Sequence, residues 1–362
     1  MRSAAINTMR YYRITNADNK VWDLPSGSLP TAFALYQPSG WKGKMLKRLF
    51  SCVHMIPLAR RLAHAELVDI QIADELKREC QRLFNNQELD FAFFYGTPSV
   101  HQKTTIQVYH KQHILGYCRL TEKKEVSELF KQEQIVLQEL DRMKVKGVPK
   151  CLMNKCLTNG QYLFVQTTDK TLNSQPLHQW NDLTEAFVNQ LYKATSKKTR
   201  FENTDFYTTL QNVRRQQHWL ANSIDRDLYI TLVDQLLERY QGAEVETVAC
   251  HGDFTPWNMF VENGRLFVFD WEYAHLTYPK GLDKCHFFTQ TAVFEQHLNA
   301  EQIINTLRSD EKWAEPESLQ MYLIDIIARY TLREKGIYDE AMNSCMKIWN
   351  ELLIFTNKQM NT

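Results

Sequence analysis

Glycine is scarce in this sequence, with 12 glycines among 362 residues, which is less than half of the usual ~7%. This scarcity argues against collagen-like, low-complexity and glycine-rich linker sequences. The two common glycine-rich nucleotide fingerprints, Gly-x-x-x-x-Gly-Lys-Ser/Thr and Gly-x-Gly-x-x-Gly, do not occur either. Any nucleotide chemistry must therefore use another kind of site.

Excess charge of one sign is also missing, since 43 Lys and Arg stand against 42 Asp and Glu and the formal charge is +1. No global field attracts nucleic acid or an anionic membrane, so we expect no nucleic-acid partner. The sequence has no apolar run of about 18 residues and no leader pattern, which predicts no transmembrane segment and a cytoplasmic location. The eight cysteines form no Cys-x-x-Cys pair, which predicts reduced thiols and no zinc site.

Residues 1–85 are interpreted as an N-terminal extension of unknown role, in which aromatic residues and prolines alternate in a pattern of short strands and turns. Within it, residues 42–65 carry apolar residues at helical spacing among lysines and arginines. A basic amphipathic helix of this kind either packs on its own domain or lies on a membrane surface. Peripheral membrane contact through residues 42–65 therefore stays open.

Residues 86–168 change to short β-branched and aromatic runs, and the rest of the chain is mostly helical. Strands are predicted over 91–95, 104–110 and 114–121, a helix over 125–143, and two further strands around the turn Asn159-Gly160. Beyond residue 169, helices are predicted over 180–195, 226–240, 300–307, 317–334 and 338–357. These patterns predict an α+β fold with a small sheet domain at 86–168, containing one helix, and a mostly helical domain at 169–362.

Residues 250–272 carry the strongest chemical signal. Asn263-Gly264 separates two short runs and predicts a tight hairpin, in which pairing outward sets 258 against 269 and 257 against 270. Asn258 and Asp270 then meet at the open end of the hairpin, within reach of Asp253. An amide oxygen and two carboxylates form the oxygen-rich kind of site that holds Mg²⁺ with substrate phosphates. Phosphoryl transfer needs such a clamp together with a separate carboxylate base.

These residue types are also common in plain turns, so a His-x-Asp triplet alone carries little weight. The hairpin that ends in Asp270 and the sheet domain upstream favour the chemical interpretation. It predicts Asp253 as the base and Asn258 and Asp270 as metal ligands. His251 is expected to fix the loop by hydrogen bonding and to take no part in proton transfer.

The run His251-Gly252-Asp253-Phe254-Thr255-Pro256-Trp257-Asn258, followed by Phe267-Val268-Phe269-Asp270-Trp271-Glu272, resembles the signature of the aminoglycoside phosphotransferase and choline kinase family. The resemblance covers roughly residues 88–340. It implies a two-lobed protein-kinase-like fold that binds ATP between its lobes, with ATP and Mg²⁺ as cofactors and a small-molecule hydroxyl as acceptor. It also implies Asp253 as catalytic base, Asn258 and Asp270 as Mg²⁺ ligands, Glu272 as a further acidic contributor and Asp283 as a structural aspartate.

The sheet domain matches this family less closely. Family members carry a lysine on the third strand that contacts the ATP phosphates and pairs with a helix glutamate. In this sequence the strand offers Arg119 and the helix offers Glu133. Arginine is not a neutral replacement for lysine, so either Arg119 or Lys103 is expected to contact the phosphates.

Three further residues are expected to contribute to ATP binding by their place in the chain. Ser99 lies in a turn that takes the place of the phosphate-covering loop, and this turn has only one glycine. Gln166 and Thr168 lie at the expected hinge, where the backbone would contact adenine. The same positions are equally consistent with linker or surface roles.

The resemblance implies a small-molecule kinase whose acceptor is an aminoglycoside, a choline-like alcohol, an amino alcohol or a sugar. No acidic cluster stands out in the helical domain, which disfavours polycationic drugs. The aromatic extension resembles those of bacterial relatives in surface-polysaccharide pathways, which favours a saccharide or glycan precursor. The alternative is a catalytically weak kinase-like nucleotide-binding or scaffold protein. A protein kinase is disfavoured because no Ala-Pro-Glu-like segment follows Asp270.

Overall fold

A computed structural model describes residues 9–16, 19–36, 45, 47, 50, 56–62, 64–96, 101–309 and 315–361. The described residues divide into two compact units. The sheet unit takes its residues from Met1–Gln138, Gly147–Gln175 and Val261–Phe267, and the helical unit from Glu139–Lys146, Pro176–Phe260 and Val268–Thr362. Half of the predicted helix at 42–65 and the turn that contains Ser99 lie outside the described residues.

The sheet unit is built on an eight-stranded sheet with the order β3-β1-β2-β4-β5-β6-β8-β7, in which all neighbours pair antiparallel. Its strands are β1 (Met9–Thr15), β2 (Val21–Pro25), β3 (Ala65–Ile70), β4 (Asp90–Phe94), β5 (Thr104–His110), β6 (His113–Thr121), β7 (Cys151–Cys156) and β8 (Tyr162–Thr167). Strands β4 to β8 confirm the five strands predicted from the sequence. The sheet is larger than expected, because β1 to β3 of the extension join it where β2 pairs with β4.

Both faces of this sheet are covered by apolar side chains, because successive residues of a strand point to opposite faces. Val108 of β5 packs on one face with Cys80 of a helix, whereas its neighbour Tyr109 packs on the other face with Phe33 of the extension. Gln107 lies on the same face of the sheet as Tyr109, and its side-chain amide donates from Nε2 to the carbonyl of Thr31 at 2.8 Å. The described part of the sheet unit includes the helices α1 (Leu29–Ala32), α2 (Pro57–Leu62), α3 (Asp74–Leu83) and α4 (Lys124–Arg142), the last of which continues beyond this unit.

The two Asn-Gly turns form the hairpins that the sequence predicts. Gly160 has a φ of 86°, in the turn between β7 and β8. The second turn joins β12 (Met259–Glu262) to β13 (Arg265–Val268), with φ of 50° at Asn263 and 72° at Gly264. Positive φ at both central residues is what a type I′ turn requires. Outside the strands, Phe269 N donates to the carbonyl of Asn258 at 3.0 Å, which confirms the predicted pairing of 258 with 269.

The helical unit contains helices of nine to twenty-one residues and a small three-stranded sheet. Its helices are α5 (Asp182–Thr195), α6 (Asp205–Arg215), α7 (Arg226–Arg239), α8 (Leu282–Gln290), α9 (Ala300–Ser309), α10 (Pro316–Glu334) and α11 (Glu340–Met360). Strand β9 (Gln175–Pro176) pairs with β12, and β10 (Lys197–Arg200), β11 (Glu244–Cys250) and β14 (His275–Tyr278) form the order β10-β11-β14. The predicted α+β class is confirmed, although α8 and β10 were not expected from the sequence.

The core of the helical unit lies where α10 packs against α11, with Leu323 and Trp349 fully buried. The side chains of Asn181, Asp225 and Asp339 cap the first turns of α5, α7 and α11, which supplies acceptors for backbone N–H groups that have no partner within the helix. In the part of the chain that the structure describes, none of the helices combines the length and apolar character needed to cross a membrane.

Candidate active site

The loop that follows β11 has a backbone that only glycine fits well. Gly252 has a φ of 79°, and a Cβ at this position would overlap the carbonyl oxygen of Tyr273. The buried carboxylate of Asp283, in the first turn of α8, accepts from the backbone N–H of His251 at 2.8 Å and of Gly252 at 3.0 Å. Hydrogen bonds to a carboxylate are among the stronger ones in proteins, so Asp283 fixes the course of the loop.

His251 links this loop to the end of the hairpin. Its Nδ1 lies 3.1 Å from the backbone nitrogen of Asp253, which donates to it, and its Nε2 lies 3.0 Å from the carbonyl of Phe269. Because the Phe269 carbonyl can only accept, the ring proton of His251 is on Nε2. Because Nδ1 accepts from the Asp253 backbone, it carries no proton, and the ring is neutral. Burial lowers the pKa of His251 below its ordinary value, which also favours the neutral form. These contacts support the predicted role of His251 in fixing the loop.

The carboxylate of Asp253 is held at both oxygens. His286 Nε2 lies 2.9 Å from Oδ1, and Asn258 Nδ2 donates to Oδ2 at 2.7 Å and to the Asp253 carbonyl at 3.0 Å. Burial by itself raises the pKa of Asp253, but the hydrogen bond from His286 and nearby charges, including Arg329, outweigh it and hold the pKa below its ordinary value. The group is therefore an oriented carboxylate at neutral pH.

Asp270 and Glu272 provide two more carboxylates in the same unit. Asp270 follows the hairpin with a φ of 68°, a left-handed conformation that is uncommon for residues other than glycine. A carboxylate oxygen of Asp270 and one of Glu272 lie within 4.8 Å of each other. The amide nitrogen of Asn258 is committed to Asp253, so its Oδ1 is the atom that can face a cation. Carboxylate and amide oxygens are the donors that suit Mg²⁺.

Besides Asp283, Arg329 of α10 also holds the loop by hydrogen bonding. Arg329 donates from Nη1 to the carbonyl of Gly252 and from Nη2 to Asp325 Oδ2 at 3.0 Å. Asp325 in turn accepts from the hydroxyl of Tyr278 at 2.9 Å. The mostly enclosed guanidinium is thus paired with the buried carboxylate of Asp325, as a charge removed from water requires, while one of its N–H groups holds the loop.

Sequence reasoning missed His286 and Arg329 as neighbours of the candidate site. Spacing offered a signal for both. His286 follows Asp283 by three residues, and Arg329 follows Asp325 by four, so each pair lies on one face of its helix. Arg329 and Asp325 also interrupt an otherwise apolar helix, where charged residues are rarely buried unless they are paired.

In the sheet unit, the structure brings Arg119 and Glu133 together. Their side chains are 6% and 0% exposed, and Nη2 of Arg119 is in direct contact with Oε2 of Glu133. The guanidinium also lies over the rings of Phe164 and Phe130, at 4.7 and 5.3 Å from their centroids. Of the two cations considered from the sequence, Arg119 is therefore the one that pairs with the helix glutamate, and Lys103 is half-buried.

The remaining candidate residues of the sheet unit lie at the end of β8 and beyond it. Gln166 is buried, and its backbone is paired with Tyr117 of β6. Thr168 follows the strand, and its Oγ1 accepts from the backbone N–H of Lys170 at 3.2 Å. Ser99 lies outside the described residues.

Comparison with known proteins supports the family resemblance. Residues 176–279 match a family described as the phosphotransferase enzyme family. Protein LicA of Haemophilus influenzae is 26% identical over 136 residues, which cover 36% of this chain and 48% of LicA. The match thus spans about half the length of that curated relative.

Solved structures similar to this chain include an aminoglycoside phosphotransferase and a choline kinase. A thermostable variant of aminoglycoside phosphotransferase APH(4)-Ia, in ternary complex with AMP-PNP and hygromycin B, has a TM-score of 0.51 at 12% identity, covering 80% of this chain and 100% of that one. Choline kinase from Cryptosporidium parvum has a TM-score of 0.48 at 12% identity, covering 80% and 96%. The resemblance predicted from the sequence motif is confirmed: residues 176–279 match this phosphotransferase family, and the chain has the protein-kinase-like fold of the aminoglycoside phosphotransferase.

Proposed function

We propose that this protein is an ATP- and Mg²⁺-dependent phosphotransferase that acts on a hydroxyl group of a small molecule. The observation that carries the proposal is the environment of Asp253. Its carboxylate is ionised, oriented by Asn258 and His286, and placed on a loop that Asp283 and Arg329 hold. Phosphoryl transfer depends mainly on positioning and electrostatics, and an oriented carboxylate supplies the positioning.

In the proposed reaction Asp253 is the catalytic base. The acceptor hydroxyl oxygen forms a bond to the γ-phosphorus of ATP, the bond from that phosphorus to the β,γ-bridging oxygen breaks, and ADP leaves with the electron pair. Asp253 takes the hydroxyl proton as this happens. Asn258 and His286 each keep one hydrogen bond to the carboxylate, which leaves further lone pairs on both oxygens for that proton.

Asn258 and Asp270 are the proposed Mg²⁺ ligands, and Glu272 is a further acidic contributor. The short separation of the Asp270 and Glu272 oxygens supports this assignment, because two carboxylates so close together are stabilised by a cation between them. When bound, Mg²⁺ would neutralise charge on the phosphate oxygens.

Within the sheet unit, Arg119 is the proposed contact for the ATP phosphates. Its ion pair with Glu133 fixes the guanidinium while leaving other N–H donors, and arginine recognises phosphate through several donors at once. Lys103, Ser99, Gln166 and Thr168 are proposed as further nucleotide contacts from their place in the chain. The nucleotide complex of the aminoglycoside phosphotransferase supports ATP as the donor.

We propose a saccharide or glycan precursor as the acceptor, over an aminoglycoside, a choline-like alcohol or another amino alcohol. The aromatic N-terminal extension supports this choice by its resemblance to bacterial relatives in surface-polysaccharide pathways. The proposed location is the cytoplasm, which supplies ATP and keeps thiols reduced. The seven described cysteines are free, as such a compartment requires.

The test is ATP turnover with Mg²⁺ against a panel of sugars, amino sugars, amino alcohols, choline and aminoglycosides. We expect turnover with a saccharide, its loss in Asp253→Asn with folding retained by circular dichroism, and wild-type turnover in Asp227→Asn, which changes an exposed aspartate of α7. Asp270→Asn is expected to raise the Mg²⁺ concentration needed for half of the maximal rate. Undiminished turnover in Asp253→Asn would overturn the assignment of the base.

The second candidate function is a kinase-like nucleotide-binding or scaffold protein with little catalysis. The arginine at position 119, where family members carry lysine, is the observation that favours it. This alternative predicts that the wild-type protein binds Mg-ATP, for example by calorimetry, but turns over none of the acceptors. It also predicts that Arg119→Lys raises turnover.

A further inference from the structure

Helix α8 presents two side chains to three consecutive residues of the loop. Asp283 accepts from the backbone N–H groups of His251 and Gly252, and His286 lies 2.9 Å from the side chain of Asp253. Residues three apart lie on the same face of a helix, so one face of α8 holds the whole His251–Asp253 segment. Asp283 fixes the backbone, whereas His286 contacts the side chain that is the proposed base.

His286 is almost fully enclosed, with a side chain that is 3% exposed. Its ring packs edge-on against Tyr322, with centroids 5.6 Å apart and an interplanar angle of 87°. Nδ1 of His286 is buried and has no hydrogen-bond partner among the described residues. A buried N–H without an acceptor is costly, so the ring proton belongs on Nε2, where Asp253 accepts it.

The two donors to Asp253 differ in what else they do. Asn258 also donates to the Asp253 carbonyl and is a proposed Mg²⁺ ligand, so its orientation serves several partners. In the described part of the chain, the one hydrogen bond of the His286 ring is to Oδ1 of Asp253. Donation to Asp253 is therefore the one polar interaction of the His286 ring among the described residues. Packing against Tyr322 restricts the directions from which Nε2 can donate.

We propose that His286 is a positioning residue for phosphoryl transfer, which holds the carboxylate of Asp253 in one orientation through Oδ1. This inference rests on the proposed role of Asp253 as the base. A carboxylate that is held at one oxygen only can rotate about its Cβ–Cγ bond, and a small misplacement of a reacting group can cost ~100-fold in rate. Because the His286 side chain is almost fully enclosed, we expect it to contact neither ATP nor the acceptor, so its loss should lower kcat and leave KM nearly unchanged.

The test compares His286→Phe with His286→Gln in the full-length protein. Phenylalanine keeps a ring in the apolar pocket but has no donor, whereas glutamine can place an amide N–H near the position of Nε2. We expect His286→Phe to lower kcat by ~10- to 100-fold with KM for both substrates within about twofold of wild type. His286→Gln should recover most of that loss.

Thr289→Val provides a matched control on the same helix. Thr289 is fully buried, and among the described residues its Oγ1 has no hydrogen-bond partner, so the change perturbs packing without removing a hydrogen bond. We expect wild-type kcat in this variant. A loss in Thr289→Val equal to that in His286→Phe would show that general packing of α8 is responsible and would overturn the inference.

The outcomes separate this inference from the proposed function. An inactive wild-type protein overturns the proposed function and the inference with it. If the wild type is active and Asp253→Asn is inactive, two results overturn the inference alone. Either His286→Phe keeps the wild-type kcat, or the kcat of His286→Gln falls as far as that of His286→Phe. Long-range ¹⁵N–¹H spectra give a readout without activity: the imidazole signal that disappears in His286→Phe should report the Nε2–H tautomer, and an Nδ1–H tautomer would contradict the proposed contact.

Discussion

Arg119 and Glu133 form a buried ion pair that joins strand β6 to helix α4. Both side chains are nearly inaccessible, and the guanidinium packs against the rings of Phe130 and Phe164. A buried charge is tolerated only when it is paired, so each partner needs the other. The aromatic rings also fill space around the flat guanidinium, which a lysine ammonium would fill less well.

The first prediction concerns this ion pair. Arg119→Met removes the ion-pair contact of Arg119 with the buried Glu133 carboxylate, and we expect a loss of about 3–5 kcal/mol in the free energy of unfolding. The double variant Arg119→Met/Glu133→Leu should lose less than the sum of its two single variants, because neither charge remains. Urea denaturation of the four proteins measures this coupling.

The exposed pair Arg142 and Glu139 on the same helix serves as the control for Arg119. Surface ion pairs contribute little to stability, so Arg142→Met should leave the denaturation midpoint nearly unchanged. If the stability losses of the two single variants at Arg119 and Glu133 simply add up to that of the double variant, the result would contradict the ion pair that the structure shows.

The second prediction separates two costs at glycine positions. Gly264→Ala introduces a side chain at a φ of 72° with open space around it, so we expect a loss of about 1–2 kcal/mol in stability from backbone strain alone. Gly252→Ala has the same strain at a φ of 79° and also an overlap with the Tyr273 carbonyl. We therefore expect a clearly larger loss, together with at least a tenfold fall in turnover because the loop carries Asp253. Thermal unfolding and the turnover assay measure the two effects, and equal losses in both variants would refute the role of the overlap.

The third prediction concerns pH and Lys170. This side chain is half-buried, and its Nζ donates to the carbonyl of Ala34 at 3.1 Å. Burial, and secondarily the charge of Lys47, lowers the pKa of Lys170 to about 7. The unfolded chain, with a lysine pKa near 10.4, binds more protons than the folded protein between pH 7 and pH 10. Stability should therefore rise with pH over this window, by up to about 1.4 kcal/mol per pH unit from this group.

Lys170→Met should flatten this dependence, because the titrating group is gone. Urea denaturation at pH 7.5, 8.5 and 9.5 compares the slopes of wild type and variant. Lys347→Met, which changes an exposed lysine of α11, should keep the wild-type slope. Parallel slopes in Lys170→Met and wild type would mean that Lys170 does not titrate in this range.

The sequence by itself determined the features that depend on a few neighbouring residues. The Asn-Gly turns, the pairing of 258 with 269 and the five strands from β4 to β8 follow from turn chemistry and the alternation of side chains. The motif from His251 to Glu272 was sufficient to indicate the family and the proposed roles of Asp253, Asn258 and Asp270. These roles stay predictions.

Only the tertiary structure decided the contacts between residues far apart in the chain. His286 lies 33 residues from Asp253, and Arg329 lies 77 residues from Gly252. The strands β1 to β3 join the sheet through the pairing of β2 with β4, and Arg119 pairs with Glu133 because α4 packs on the sheet. Hydrogen-bond and turn patterns are encoded within a few residues, whereas these contacts depend on which helix faces pack together. Which helix faces pack together is decided by burial of the whole apolar core, and no short stretch of sequence specifies that burial.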